Sequence, residues 1–480
     1  MKHLSGLNPF WSEELTDITK TSAPLSVIKP QRANTVFTFD KPWEGNNCNY
    51  LSIIEEDDFL RMYYESSSFP WDGPVILCYA ESYDGGMSWE RKNLGMYEYK
   101  GSYDNNILFE IVDNFTIMKD PNPDCPPEQL YKALTSANRD DGEPGNQLDL
   151  YACGDGIHFE KIRTISKGLA YDTQNTLFWN KYTKKYYAYM RDYHDTKKRL
   201  HDSFNEESIR GIVVMESCDL VNWSRPQSLD FLGGDDYPLY TNVISPYIYD
   251  DRYYIGFPTR YVERKEWNDS FEQLPGKEAR KFRMEKQGED GEPRYGLTLT
   301  DCVFMYSTDH YKWHRFDEAC LVPDHEYDGN WLYGDCYPAV GKLIESPGRY
   351  EGYPNELSLF VLRHHWGAKT PVYLDRFVYR RDGFASYKAG YKQQVLTTLP
   401  FTFDGDKLSI NFRTSARGYI YVRVLDEDGK QIDGFNSCEH FGDSLERIIS
   451  FEKPLCELSG KAVRLEFTMS DAEIYSFTLH

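Results

Sequence analysis

The chain has 480 residues and a formal net charge of −22, with aromatics at 16% including 38 Tyr and 10 Trp. The length suits two domains, or one large domain with an appendage. The acidic balance and the lack of a dense Lys/Arg run exclude a nucleic-acid binder, and no apolar run is long enough to span a membrane.

Met1 to Phe10 contains no apolar h-region, so a cytoplasmic location is expected, although a trimmed secreted chain would look the same. The ten cysteines form no CxxC pair, and Cys78, Cys218 and Cys302 sit in apolar runs, which predicts buried free thiols. Residues 1–30 are polar and punctuated by Pro, and read as an entry segment. Short apolar runs bounded by Gly, Asp, Asn and Pro follow. Tyr50–Ile54 and Phe59–Tyr64 bracket an acidic turn, and Phe115–Met118 and Tyr131–Leu134 a Pro-rich loop. Gln174–Trp179 and Lys185–Met190, Val243–Tyr249 and Tyr253–Phe257, then Pro338–Ile344 and Leu357–Leu362 repeat the arrangement. All five pairs read as hairpins.

Each hairpin precedes an apolar strand and a turn in which Asp is followed by an aromatic. The first turn is Ser82-Tyr83-Asp84-Gly85-Gly86-Met87-Ser88-Trp89. Gly154 to Phe159, Ser217 to Trp223 and Ser307 to Trp313 repeat it, and Arg381 to Tyr387 is a weaker fifth. Their Asp residues are 64 to 90 positions apart. A four-stranded unit repeated five times predicts a five-bladed β-propeller over 31–390. The charged stretch Glu263 to Lys286, interrupted by Pro275 and Gly276, reads as an insertion with one short helix. After Gly390 the repeat stops. Alternating runs such as Tyr419 to Leu425, with the turn Asp426-Glu427-Asp428-Gly429, predict a small β-sandwich over 391–480. The fold class is therefore all-β.

Ser82-x-Asp84-x-Gly86-x-Ser88-Trp89 resembles the Asp-box turn of sialidases and other propellers. Ser217-Cys218-Asp219-Leu220-Val221-Asn222-Trp223 is similar to a turn frequent in five-bladed glycoside hydrolases of the β-fructosidase and arabinanase/xylosidase superfamily, families 32 and 43 among them. A propeller followed by a sandwich is the layout of its invertase-like members. The resemblance implies a carbohydrate substrate and three axial carboxylates: a nucleophile or base in the first blade, an orienting Asp in the second and an acid Glu in the third. The superfamily's first-blade Asn-Asp-Pro-Asn-Gly is absent, and Asp120-Pro121-Asn122-Pro123-Asp124 echoes it in the second unit, which marks a divergent member.

In a propeller the starts of the innermost strands gather around one end of the axis. The carboxylates just before those strands are Glu44, then Asp104 or Asp113, then Asp172, Asp235 with Asp236, and Asp335 beside Tyr337. Glycoside cleavage needs two such groups. Asp172, Glu44 and Asp335 are the catalytic candidates, and Asp104, Asp236 and Tyr337 candidates for substrate contact. The second inner strands end at the same face with Glu65, Arg191, Arg260 and His364, and Trp366 lies just beyond. Arg191 and Arg260 could grip a carboxylate or hydroxyls, and His364 and Trp366 could supply a hydrogen bond and a stacking plane. No metal-ligand spacing, phosphate loop or dinucleotide loop is present, so no cofactor is expected. The leading expectation is a glycoside hydrolase acting on a terminal sugar. A non-catalytic carbohydrate-binding propeller and a glycoside phosphorylase are the alternatives. The sandwich is expected to pack or to aid homo-oligomer contacts.

Overall fold

The computed structural model describes residues 1–69, 73–142, 146–195, 197, 200–201, 208–286, 292–365 and 371–480. The chain divides into two compact units, one of residues 31–378 and one of 1–30 with 379–480.

The first unit is a five-bladed propeller. Blade one comprises Asn47–Glu55, Leu60–Ser67, Val75–Ser82 and Glu90–Arg91, with Ile107–Ile111 added to its third strand. Blade two runs Asp113–Lys119, Tyr131–Asn138, Asn146–Cys153 and Glu160–Lys167. Blade three runs Thr176–Asn180, Lys185–His194, Ile209–Ser217 and Gln227–Ser228. Blade four runs Ile244–Pro246, Tyr254–Gly256, Met305–Ser307 and His314–Arg315. Beyond it the pair Thr259–Glu263 and Thr298–Cys302 carries the insertion. The insertion holds three short helices, Asp269–Gln273, Lys277–Lys286 and Arg294–Leu297, where one was expected. No helix among the described residues is long and apolar enough to cross a membrane.

The recurring turns join the third and fourth strands of blades one to four. Asp84 Oδ1 accepts from the N–H groups of Met87 and Ser88 at 2.9 Å. Asp155, Asp219 and Asp309 each accept from the N–H groups two and three residues on. A short carboxylate thus satisfies backbone donors that a tight turn would leave open. Gly86 sits at φ +85°, where a Cβ would come within 2.3 Å of the Phe360 ring.

The weaker fifth turn behaves differently. Asp382 is buried in the second unit, where it accepts from Ser476 Oγ at 2.7 Å and from Asn411 Nδ2 at 3.3 Å. Blade five takes its outermost strand from Gln31–Phe39, which pairs with Val372–Tyr379, while Tyr337–Pro338 and Glu356–Arg363 complete it. The fifth blade thus joins strands from the first and last parts of the propeller unit, which closes the ring of blades.

The second unit is the β-sandwich, one continuous ten-stranded sheet bent over a core that includes Phe10, Phe412, Val422, Phe467 and Phe477. Leu408–Asp426 and Val463–Leu479 run along it, with register shifts at Asn411/Phe412 and Thr414/Tyr419 marking bends. Its extent differs from the expected 391–480. Lys2–Leu4, Gly6–Pro9 and Leu25–Val27, expected to be an entry segment, are strands of this sheet. Ala385–Ala389 ladders onto Val463–Leu479, so the propeller unit ends at Val378 rather than near 390. Short polar strands with Pro between them do not announce a sheet whose main strands lie about 400 residues away.

Candidate active site

Four blades place a non-glycine residue in the left-handed backbone region near the start of the inner strand: Tyr50 at φ 45°, Asn114 at 38°, Val243 at 44° and Cys336 at 60°. Each such residue costs on the order of 1 kcal/mol or more, and strain of this kind concentrates at functional sites. The same end of the axis gathers the titratable groups.

Two carboxyls meet there. Glu65 lies near the end of the second strand of blade one, opposite Asn49, and is 4% exposed. Asp113 opens the inner strand of blade two, next to an irregularity in the ladder. The N–H of Asn114 donates to Glu65 Oε2 at 2.8 Å and lies 3.1 Å from Asp113 Oδ1. One backbone donor thus serves both carboxyls. Burial, then the Asp113 charge, pushes the Glu65 carboxyl well above the usual range. Burial also lifts Asp113, to about 6, against the pull of the Arg191 guanidinium. Like charges this close share a proton.

Amides brace the pair. Asn114 Nδ2 donates to Tyr171 O at 3.1 Å, and Asn175 Nδ2 donates to Tyr171 O at 2.8 Å and Thr173 O at 2.9 Å. Asn242 Nδ2 reaches Gln174 O at 3.1 Å, which carries the network into blade four.

Tyrosines form the wall above. The hydroxyls of Tyr50 and Tyr240 are 3.1 Å apart. Tyr240 stacks on Tyr261 and Tyr337 with centroids at 5.9 and 5.6 Å, and meets Tyr333 edge-on at 5.7 Å. The insertion backs this wall. Arg280 Nη2 donates to Trp331 O at 2.8 Å, and Arg283 Nη2 donates to His365 O at 2.8 Å. Both arginines lie on the helix Lys277–Lys286, and Tyr295 on the next helix meets Tyr333 at 5.7 Å.

The candidates expected from sequence fall into three groups. Asp172 and Arg191 lie at the pair: Asp172 is exposed, and its carboxylate is ion-paired with Arg191, which is 2% exposed. Tyr337 is part of the tyrosine wall. Asp236 accepts from or donates to His194 Nε2 at 3.0 Å, according to tautomer, while Asp192 holds the other ring nitrogen at 3.2 Å.

A second group is tied into the frame. Glu44 is fully buried, receiving Arg91 Nε at 2.7 Å, Arg91 Nη2 at 2.8 Å, the Tyr64 hydroxyl at 2.7 Å and Lys41 N at 2.8 Å. Its lone pairs are filled by protein, so it is a structural anchor between the innermost and outermost parts of blade one. Asp335 is equally buried, 2.8 Å from Arg363 Nε. Arg260 pairs bidentately with Asp301 at 2.7 and 2.6 Å. His364 is buried between the rings of Tyr327 and Tyr373, and burial lowers it to about 4. The third group lies apart from both. Asp104 sits in an exposed loop, where it accepts from Asn93 Nδ2 at 2.6 Å. Trp366 lies outside the described residues.

The opposite end of the inner strands opens into a cavity of about 300 Å³ lined by Ile53, Ile117, Leu177, Ile244, Val340 and Ile344. Asp120 at its edge is neutralised by Lys132 at 2.5 Å. Glu55, Lys119 and Lys342 also line the cavity, and none of the candidates expected from sequence does.

No family model matches the sequence, and no curated protein matches it. Among solved structures, a thermostable family-43 glycoside hydrolase is similar with a TM-score of 0.42 at 15% identity, over 73% of this chain and 95% of that one. An α-L-arabinofuranosidase of Fusarium graminearum in complex with an iminosugar inhibitor gives 0.37 at 13% identity, over 78% and 93%. A structure described with the family-130 mannoside phosphorylases, and with hydrolases that target β-1,2-mannosidic linkages in Candida mannan, gives 0.39 at 13%, over 78% and 96%.

Proposed function

We propose that the propeller is a glycoside hydrolase that cleaves a terminal glycosidic bond by carboxylate acid/base chemistry at its axial end. The observation that carries this reading is the Glu65/Asp113 pair, two shielded carboxyls on the single N–H of Asn114. Burial favours the neutral acid, so the pair keeps a proton near neutral pH and can give it to a leaving glycosidic oxygen. Asp172, exposed and held by the Arg191 cation, is the ionised carboxylate available to activate water or to meet the anomeric carbon. Tyr240 stacks on Tyr261 and Tyr337 beside the pair, and this aromatic wall is where a sugar would pack.

The test is sugar release from a panel of aryl glycosides and oligosaccharides. Glu65→Gln, Asp113→Asn and Asp172→Asn should each lower turnover by about 10²- to 10⁴-fold, the usual range for a positioned acid or base. Glu44→Gln should act on stability instead. Wild-type turnover in all three variants would take the chemistry away from these carboxylates, and sugar binding with no cleavage by the native protein would replace this reading with a carbohydrate-binding propeller.

A further inference from the structure

The wall of the site carries more cationic groups than acid/base chemistry on a neutral sugar needs. Arg191 lies near the end of the second strand of blade three, and Arg210 faces Tyr193 across the ladder from the next strand. The two guanidinium groups flank the same pair of rings. Arg191 is 5.1 Å from the Tyr193 centroid and 5.9 Å from that of Tyr240; Arg210 is 5.2 and 5.8 Å from them. Arg210 also packs on Tyr261 at 4.8 Å and donates from Nη1 to the Tyr193 hydroxyl at 2.9 Å. Arg294, from the insertion, donates to the Tyr261 hydroxyl at 3.3 Å and the Tyr295 hydroxyl at 2.7 Å, and pairs with Glu292. Three arginines from three segments thus converge on one cluster of tyrosines, in a chain whose net charge is −22.

Ring faces orient a guanidinium through its π-surface rather than its N–H fork. That fork is what grips a carboxylate or phosphate with two parallel hydrogen bonds. The local field is already felt by a resident group. Burial pushes the Tyr193 phenol up, yet Arg191, Arg210 and Arg294 together hold it below its ordinary value. A strand-end arginine ion-paired with an exposed aspartate, as Arg191 is with Asp172, also gives an arriving anion something to displace.

We propose that Arg191 and Arg210, backed by Arg294, form an oxyanion subsite beside the Glu65/Asp113 pair, filled either by the carboxylate of a hexuronic acid or by inorganic phosphate. This rests on the axial site being the sugar site. An oxyanion on Arg191 competes with Asp172 for the same guanidinium and so releases the Asp172 carboxylate toward the substrate. With phosphate, the anomeric C–O bond breaks and its electron pair stays on the leaving oxygen. That oxygen takes the carboxyl proton, and a phosphate oxygen bonds the anomeric carbon.

The experiment has a binding arm and a turnover arm on the intact chain. In the first, thermal unfolding is followed with glucuronate, galacturonate, inorganic phosphate and, as neutral controls, glucose and galactose. The acids or phosphate should raise the melting temperature and the neutral sugars should not. Arg210→Lys, which keeps the charge but loses the planar fork, should weaken the effect about tenfold in ligand concentration, and Arg210→Met about 100-fold. Arg191→Lys serves if the Arg210 variants do not fold. In the second, matched aryl glucuronides and glucosides, and galacturonides and galactosides, are compared with and without phosphate. A preference for the uronides assigns the subsite to the sugar's own carboxylate, and formation of sugar 1-phosphate assigns it to phosphate. Equal turnover of acidic and neutral glycosides, no response to phosphate and no thermal shift would overturn the subsite while leaving the hydrolase reading intact. A thermal shift that Arg210→Lys weakens, with no glycoside cleaved, would do the reverse.

Discussion

Replacing Asp113 by Asn should make the protein more stable and less active, and the two effects should part with pH. Asp113 is lifted from 3.8 to about 6, chiefly by burial. A tenfold change in acidity is worth about 1.4 kcal/mol, so keeping this group ionised costs the fold about 3 kcal/mol. The sign follows from linkage. The folded state holds its proton to higher pH than the unfolded chain, so stability falls as pH rises from about 4 to about 6, then stays low. The Asp113→Asn variant lacks that loss. It should match the native protein below about pH 4 and exceed it above about pH 6, by up to about 3 kcal/mol and a few degrees in melting temperature. Calorimetry at about pH 4, 6 and 8 reads this directly, and glycoside turnover should fall by at least about 10²-fold in the same variant. A melting temperature below that of the native protein at the alkaline end, or an offset that does not change across the series, would refute the paired-carboxyl reasoning.

Glu44→Gln leaves the Arg91 guanidinium, which lies over Phe37 at 4.2 Å, without its buried counter-charge. The expected cost is about 3–5 kcal/mol in urea unfolding, with no change in the pH profile of any activity. Gly86→Ala forces a Cβ against Phe360 at a left-handed backbone position, for a loss of about 2–4 kcal/mol by the same measurement. Phe39→Ala empties a site where the ring meets Phe37 and Tyr64, both at 5.0 Å, on the strand that closes the ring of blades. A loss of about 3–5 kcal/mol and faster proteolysis of the propeller should follow.

The blades were legible because each repeats a local device. An Asp that accepts two backbone N–H groups at a tight turn needs no distant partner, so Asp84, Asp155, Asp219 and Asp309 read the same in sequence and in space. Asp382 shows the limit of that signal: its neighbours Asn411 and Ser476 belong to strands far along the chain. Ring closure by Gln31–Phe39 was hidden for the same reason. The site followed the same division. Position before an inner strand pointed to Asp172, Glu44 and Asp335, and named Asp113 only as an alternative to Asp104. What separates them is the partner each meets: Arg91 for Glu44, Arg363 for Asp335, Arg191 for Asp172, and a carboxyl of the neighbouring blade for Asp113. Glu65 stood among the strand-end residues and Asp113 before an inner strand, and no spacing along the chain could tell that one N–H would serve both.

The two classes of carboxylate also explain how the fold tolerates its own site. At the axial end four non-glycine residues sit at positive φ and two acids are shielded side by side, which together withhold several kcal/mol from stability. At the turns between outer strands the sign reverses. Partial shielding raises the Asp84 carboxyl, yet donors from Ser88, Ser82 and Met87 outweigh this and hold it below its ordinary value. Asp219 is lowered in the same way, first by the Asn222 N–H. These turns are local and repeated, so they stabilise each blade independently of the axis. Variants at the axial carboxyls should therefore gain stability as they lose chemistry, whereas variants at the turn carboxylates should lose stability and leave the chemistry of the folded fraction unchanged. The partner an acidic residue meets decides which behaviour it shows: a second carboxyl for Asp113 and Glu65, backbone N–H donors for Asp84 and Asp219, and an arginine for Glu44 and Asp335.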